Sequence, residues 1–201
     1  TELEKAYTLL ATHVGGESGK LLLATPPVII IQTAGRKKFL GWCTAKQWEQ
    51  KASDDYQTEV TVVAEALSRP MPEIIETIIH EAVHHLNNLR GINDCNAAQY
   101  HKKAFKTQAE EFGLTVSRDQ SHGWAVTALG PDIQQEVEKW GLDPEAFSLA
   151  RRAMSNKPKA LTKLKKWSCS CGVNLRVAVE LDATCNKCGG LFALQDSLGG
   201  G

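Results

Sequence analysis

Apolar residues recur every three or four positions in three stretches of the chain, and this spacing predicts three amphipathic helices. The first helix covers residues 2–13, and three closely spaced glycines after it predict its end. The second helix follows the segment 68–72 and ends before Gly91. The third covers residues 97–112. The apolar stripe of the second helix consists of Ile75, Ile78, Ile79, Ala82, Leu86 and Leu89.

Three short runs between the first and second helices predict β-strands, because they are rich in β-branched or aromatic residues. They cover residues 28–32, which follow two prolines, residues 39–43 and residues 59–64. The resulting order is a helix, three strands and a long helix. This order predicts an α+β domain whose small sheet mostly precedes the long helix in the chain.

The long predicted helix carries the sequence HEAVH at residues 80–84. Residues four apart lie on one face of a helix, so His80 and His84 can direct their imidazoles at one point, with Glu81 beside them. Two histidines in this arrangement are typical ligands of a catalytic zinc ion, and the glutamate is the expected general base. Because both histidines lie off the apolar stripe, the pattern predicts a zinc site and not a chance match within a buried helix.

A catalytic zinc ion needs a third protein ligand and an open position for water. Six residues after His84 the chain carries Arg90, a cation that cannot bind a metal ion. Glu110 and Glu111, on the third predicted helix, could in principle serve as the ligand. His101 is the better candidate, because it is the only histidine on that predicted helix and lies near its start.

The run RPMPEIIETIIHEAVHHLNNLRG, followed by QYHKKAFKTQAEEFGL, resembles the SprT-like metallopeptidase family. Further similarity in LEKAYTLL, PVIIIQ, LGWCT and SHGWAVT extends the resemblance from about residue 3 to residue 195. It implies a compact zincin fold, peptidase activity and, usually, a following zinc ribbon. It also implies that His80, His84 and His101 bind zinc, that Glu81 activates water, and that Phe105 follows the third ligand. The best-known members of the family cleave proteins crosslinked to DNA.

Four of the six cysteines form two pairs near the C-terminus, Cys169 with Cys171 and Cys185 with Cys188. With nearby turn glycines and the strand-like segment 174–181 between them, they predict a four-cysteine zinc ribbon. The first pair is CxC, one residue shorter than the common CxxC spacing. Two disulfides or four free thiols are the alternatives, but so small a segment has little apolar core and needs a staple. We therefore expect two zinc ions per chain, one catalytic and one structural.

Eight lysines or arginines and no acidic residue lie between positions 151 and 176. A basic stripe beside a ribbon predicts a DNA-binding surface, and a solvated linker is the equally weighted alternative. In this interpretation Trp167 is exposed. The candidate nucleic-acid contacts are Lys163, Lys165, Lys166, Trp167 and Arg176.

Length and composition set the remaining expectations. The chain has 201 residues, enough for one core and a small appendage, and its 23 basic and 23 acidic residues balance. The absence of a membrane-length apolar run or a signal-like N-terminal stretch, together with paired cysteines typical of intracellular zinc sites, predicts a cytoplasmic protein. The expected divisions are a metallopeptidase domain at 1–154, a basic linker at 155–166, the ribbon at 167–195 and a tail at 196–201.

Three functions are compatible with these patterns. They are a zinc endopeptidase that acts on DNA-associated proteins, a peptidase that cleaves a regulator without any nucleic-acid role, and a non-catalytic zinc-stabilised module that binds DNA or protein. Glu81 argues against the last, because a structural zinc site needs no general base. An extended peptide substrate is expected to bind by strand addition to the edge at 59–64. His122 and Tyr100 are candidate oxyanion donors, and His85 is expected at the surface or behind the ligands.

Overall fold

A computed structural model describes residues 1–34, 39–49, 51, 55–152 and 164–195. Contacts between Cα atoms divide the chain into two compact units, Thr1–Met154 and Ser155–Gly201. The first unit contains helices and two small sheets, and the second contains a three-stranded sheet, so the protein is α+β as predicted. None of the described helices has both the length and the apolar character that a bilayer crossing requires.

The helices and strands are numbered in chain order. The helices are α1 (Glu2–Val14), α2 (Gly16–Ala24), α3 (Met71–Leu89), α4 (Lys103–Glu111) and α5 (Pro131–Lys139). The strands of the first unit are β1 (Val28–Gln32), β2 (Gly41–Glu49), β3 (Tyr56–Val63), β4 (Leu114–Asp119) and β5 (Gly123–Leu129). Those of the second unit are β6 (Lys165–Ser168), β7 (Asn174–Val177) and β8 (Ala193–Leu194). Short 3-10 helices cover Ala64–Ser68 and Pro144–Phe147.

The long helix α3 supplies much of the core of the first unit. Its predicted apolar stripe is fully buried from Ile75 to Leu86, whereas Leu89 at its end is only partly buried. The same core contains Val60 and Val62 from β3 and Leu3 and other residues of α1. Since the buried stripe occupies one side of α3, the side that carries the two motif histidines remains available for a site.

Strand β3 lies at the centre of the first sheet, between a parallel β1 and an antiparallel β2. The prediction that residues 59–64 provide an open edge for a peptide is therefore wrong. Both sides of β3 are already hydrogen-bonded within the sheet, and β2 is the edge strand on its side.

The glycines after α1 end that helix as predicted, because α1 stops at Val14 and Gly15 has a φ of 61°; the second helix that follows at once was not predicted. α2 starts at Gly16 and packs close to α1 at Gly19, where a Cβ atom would overlap the carbonyl oxygen of Ala11. Only a residue without a side chain permits this approach. Gly19 therefore permits close packing of α1 and α2, a role that was not predicted from the sequence.

The predicted helix over 97–112 is wrong in its first six residues, because α4 begins only at Lys103. The Asn96 side chain accepts hydrogen bonds from the backbone N–H groups of Ala98 and Tyr100, both at 3.0 Å, and Gln99 has a φ of 61°. These local bonds compete with helix formation and fold residues 96–100 into a compact turn. Beyond α4, the antiparallel hairpin β4–β5 and helix α5 are elements that the sequence analysis did not predict.

Candidate metal centres

Three histidines of the first unit direct one ring nitrogen each at a common point. The Nε2 atom of His101 lies 3.2 Å from Nε2 of His80 and 3.1 Å from Nε2 of His84. In a tetrahedral zinc site with Zn–N bonds of about 2.0–2.1 Å, ligand nitrogens lie about 3.3 Å apart. The spacing of the three nitrogens thus suits a metal ion of this size.

The other ring nitrogen of each histidine, Nδ1, faces an oxygen atom. The distances are 3.0 Å from His80 to Thr127 Oγ1, 2.9 Å from His84 to Asp94 Oδ2 and 3.1 Å from His101 to the Gln99 carbonyl oxygen. A carbonyl and a carboxylate can only accept, and the Thr127 hydroxyl donates its own proton to Glu76. All three Nδ1 atoms therefore carry hydrogen, which leaves three Nε2 lone pairs facing one another.

Such a convergence of lone pairs is unfavourable unless a metal ion or a proton lies between them. Hydrogen bonds from the remote nitrogens of metal-binding histidines are also the usual means of fixing ring orientation and tautomer. The donor set of His80, His84 and His101 therefore fits a metal ion. It leaves a fourth tetrahedral position without a protein ligand from the described residues.

His101 reaches the site from a segment before α4 and not, as predicted, from the helix itself. Its backbone N–H donates to the His122 carbonyl oxygen at 2.8 Å, and its carbonyl accepts from Trp124 N at 3.1 Å. It forms single β-bridges with Cys95 and Gly123. The turn and first residues of the β4–β5 hairpin thus hold His101 in position beside the other two histidines.

Gly123 is essential to this contact. Its φ is +68°, and a Cβ atom there would overlap the carbonyl oxygen of His101 and lie 2.8 Å from Cε1 of Tyr100. The alternative ligands do not join the cluster. Glu110 lies 3.6 Å from Lys106 Nζ, and Glu111 accepts a hydrogen bond from Gln108.

Glu81 is only 5 % exposed, although it contributes to the wall of the cleft that holds the three histidines. Burial raises the pKa of its carboxyl group to about 7, and the nearby His84 acts in the opposite direction. Gly41 of β2 packs beside it, where a Cβ atom would lie 3.3 Å from Glu81 Cγ. A carboxyl group that titrates near neutral pH can both accept and release a proton.

Burial also lowers the pKa of two of the three histidines. The pKa of His80 is lowered, and that of His101 falls to about 4, with the charge of His84 as a further cause. Burial would lower the pKa of His84 too, but the hydrogen bond to Asp94 and the charge of Glu81 raise it above its ordinary value. His80 and His101 are therefore neutral at pH 7, the form in which imidazole binds a metal.

The cleft has a volume of about 880 Å³ and is bordered by two strands. Gly41, Trp42 and Cys43 line it from β2, and residues 125–127 line it from β5. Cys95, from the loop before His101, also lines the cleft. β2 has no partner strand on its outer side among the described residues. Within the same part of the chain, β5 pairs only with β4 in its sheet, so it too has an unpaired side. β2 and β5, and not the strand predicted at 59–64, therefore offer edges beside the histidines.

Three further residues were singled out from the sequence: His85, and the candidate oxyanion donors His122 and Tyr100. His85, which was expected at the surface or behind the ligands, is wholly buried, and its Nε2 donates to the carbonyl oxygen of Thr25 at 2.8 Å, where α2 ends. His122 borders the cleft, but its Nδ1 lies 3.0 Å from Asp119 Oδ1. The Tyr100 hydroxyl accepts a hydrogen bond from Arg118 at 2.9 Å.

The four C-terminal cysteines form a second cluster, within the second unit. Their Sγ atoms all lie within 4.8 Å of one another, and no cysteine forms a disulfide. The Sγ distances are 2.9 Å for Cys169–Cys171, 3.7 Å for Cys171–Cys185 and 3.9 Å for Cys188–Cys169. Tetrahedral Zn–S bonds of about 2.3 Å require about 3.8 Å between sulfurs, so the CxC pair is closer than the others.

The backbone around these cysteines forms two tight turns. Cys169 N–H donates to the Val173 carbonyl at 3.1 Å, and Cys185 N–H donates to the Gly190 carbonyl at 2.8 Å. The hydrogen bond with Cys171 lowers the pKa of the Cys169 thiol to about 6. The same hydrogen bond raises the pKa of the Cys171 thiol to about 12. Because the thiolate is the metal-binding form, a metal ion held by this cluster would have to displace the proton that the two thiols share.

The residues predicted to contact nucleic acid differ in their exposure and in their charge partners. Trp167 is buried, with 7 % exposure, so the prediction that it is exposed is wrong; it packs within the small sheet of β6, β7 and β8. Lys165 pairs with Glu180, whereas Lys166 and Arg176 are exposed and lie opposite each other on β6 and β7. Lys163 lies outside the described residues.

Neither a family model, nor a curated protein sequence, nor a solved structure matches this chain. The two metal-binding clusters therefore have to be interpreted from their own geometry and from the sequence motifs.

Proposed function

We propose that the chain is a zinc-dependent endopeptidase of the SprT-like type, with a catalytic zinc ion on His80, His84 and His101. The observation that carries the proposal is the convergence of three Nε2 lone pairs beside a buried glutamate in an open cleft. Three histidines with a fourth position free are typical of catalytic zinc, and an all-nitrogen donor set does not suit Mg²⁺ or Ca²⁺. We assign a structural zinc ion to the four cysteines, because four thiolates would occupy all four tetrahedral positions and leave none for water.

When bound, zinc would supply a Lewis acid and a water molecule of lowered pKa. Glu81 accepts the proton of the attacking water and transfers it to the leaving amine, a role suited to its pKa of about 7. Asp94 and Gln99 keep the Nδ1–H groups of His84 and His101 directed away from the centre. The outer edge of β2 can bind an extended polypeptide by strand addition.

The decisive experiment compares purified wild-type protein, loaded with zinc, with Glu81→Gln on an unfolded protein substrate. Glutamine has the same shape but cannot accept the proton, so we expect a loss of cleavage of about 10²–10⁴-fold. The zinc content of both proteins is measured in parallel and is expected to be two ions per chain. Glu110→Gln, which removes an exposed carboxylate, is the matched control.

Each result has a distinct meaning. Undiminished cleavage by Glu81→Gln contradicts the role of Glu81 as general base. A wild-type protein that holds both zinc ions and cleaves no polypeptide contradicts the peptidase proposal and favours a non-catalytic zinc-stabilised module.

A second proposal concerns a nucleic-acid partner. Lys166 and Arg176 are exposed and lie directly opposite each other on β6 and β7, so their like charges repel. A bound polyanion would reduce this repulsion. Binding to a DNA oligonucleotide is expected to weaken steeply with salt and to weaken further in the double variant with alanine at both positions. Salt-independent or absent binding refutes this proposal without affecting the peptidase proposal.

A further inference from the structure

The side chain of Thr127 links two residues of α3 across the cleft. Thr127 lies in β5, and its Oγ1 is 3.0 Å from Nδ1 of His80. The same hydroxyl donates a hydrogen bond to Oε1 of Glu76. Glu76 is four residues before His80, so both occupy one face of α3.

The direction of these hydrogen bonds follows from counting protons. An ionised Glu76 carboxylate can only accept, so the single proton of the Thr127 hydroxyl is then directed at Glu76. Only its lone pairs remain for His80, so Nδ1 of His80 must donate. A neutral imidazole carries one ring proton, and Nε2 is therefore left as an acceptor toward the metal position.

We infer that Glu76, acting through Thr127, fixes His80 in the Nδ1–H tautomer that can bind the metal, and that Glu76 is thus a positioning residue of the centre. The inference rests on the metal site of the proposed function. His84 and His101 make their corresponding bonds to a carboxylate and to a backbone carbonyl, which cannot donate. A hydroxyl can donate or accept, so His80 alone of the three needs an additional group to set the direction.

This dependence makes two different substitutions distinguishable. In Thr127→Val the acceptor for Nδ1–H is lost, and neither tautomer of His80 is favoured. In Glu76→Ala the Thr127 proton is released and can turn toward Nδ1, which favours the Nε2–H tautomer that cannot bind a metal. Thr127→Ser retains the hydroxyl, and Thr115→Val removes an exposed hydroxyl from the adjacent strand β4.

Two measurements test the inference. Metal affinity, determined by competition of zinc with a chelator, is expected to fall by about 10–100-fold in Thr127→Val and in Glu76→Ala. Thr127→Ser and Thr115→Val are expected to retain wild-type affinity. Because Glu76 acts through Thr127, the double variant Thr127→Val/Glu76→Ala is expected to lose no more affinity than Thr127→Val alone.

The second measurement is the ¹⁵N spectrum of the histidine rings in metal-free protein, which reports the tautomer without any reaction. In the wild-type protein we expect His80 to be the Nδ1–H tautomer, and in Glu76→Ala we expect it to be the Nε2–H tautomer. Thermal unfolding shows whether the variants are folded. An Nε2–H signal in wild-type protein, full affinity in Thr127→Val, or additive losses in the double variant would overturn the inference. A folded protein with these tautomers but no peptidase activity would contradict only the proposed function.

Discussion

The contact between Gly123 and His101 offers a direct test of how the third ligand is held. We predict that Gly123→Ala weakens zinc binding although the substituted residue is not a ligand. An alanine would have to adopt a φ of +68°, at a cost of about 1–2 kcal/mol. Its Cβ atom would also overlap the carbonyl oxygen of His101, and such overpacking typically costs about 1–3 kcal/mol more.

Gly141 provides a matched control. Its φ is +58°, yet no atom lies within 4 Å of the position that a Cβ would occupy. Gly141→Ala therefore includes only the backbone cost of about 1–2 kcal/mol, whereas Gly123→Ala should lose about 2–5 kcal/mol in total. The difference between the two free energies of unfolding isolates the collision with His101.

The assay combines denaturant unfolding of metal-free protein with zinc affinity measured by chelator competition. We expect Gly123→Ala to move His101 and to lower zinc affinity at the histidine site by about 10–100-fold, the usual effect of disturbing the support of a ligand. Gly141→Ala should bind zinc as the wild type does. Equal stability losses and unchanged zinc affinity in both variants would refute the idea that the hairpin positions His101.

Three further predictions address the two centres. His101→Ala should lose the zinc ion of the first unit while Glu110→Ala keeps both, as measured by native mass spectrometry; the reverse pattern would identify a different third ligand. Replacement of Cys185 and Cys188 by serine should remove only the zinc ion of the cysteine site. Peptidase activity, measured in parallel, should remain if the histidine site is unaffected. Zinc affinity of the histidine site should fall about tenfold per pH unit as pH drops below the raised pKa of His84, because a proton then competes for Nε2. Zinc affinity that does not change with pH would contradict the binding of zinc by Nε2 of His84.

The features that could be predicted from the sequence are those encoded by local periodicity. The apolar stripe of α3 is continuous over several turns, so its buried face and the relative position of His80 and His84 follow directly from helix geometry. The cysteines of each pair are only two or three residues apart, so the clustering of all four could also be predicted. β1 was predicted with its observed bounds, because it is a compact run of β-branched residues.

The remaining features depend on contacts between residues distant in the chain. Nothing local shows that the Asn96 side chain would replace helical hydrogen bonds and leave His101 before α4. The pairing of Thr127 with His80 joins positions 47 apart, and the hairpin that brings it there has no strong turn signal in DQSH. The indole of Trp167 was misjudged because the burial of a side chain in so small a sheet depends on all three strands.

The attachment of His101 to the β4–β5 hairpin also has a consequence for local unfolding. His80 and His84 belong to one stable helix, but His101 can stay beside them only while the hairpin is closed over it. A metal ion that binds only the closed form stabilises the hairpin against opening, by about 2.7 kcal/mol at a free concentration 100 times the dissociation constant. Amide hydrogens of β5 should therefore exchange with solvent faster when zinc is removed, while those in the middle of α3 change little. The hairpin would thus act as the part of the fold whose opening rate sets how quickly a metal ion at the histidine site is gained and lost.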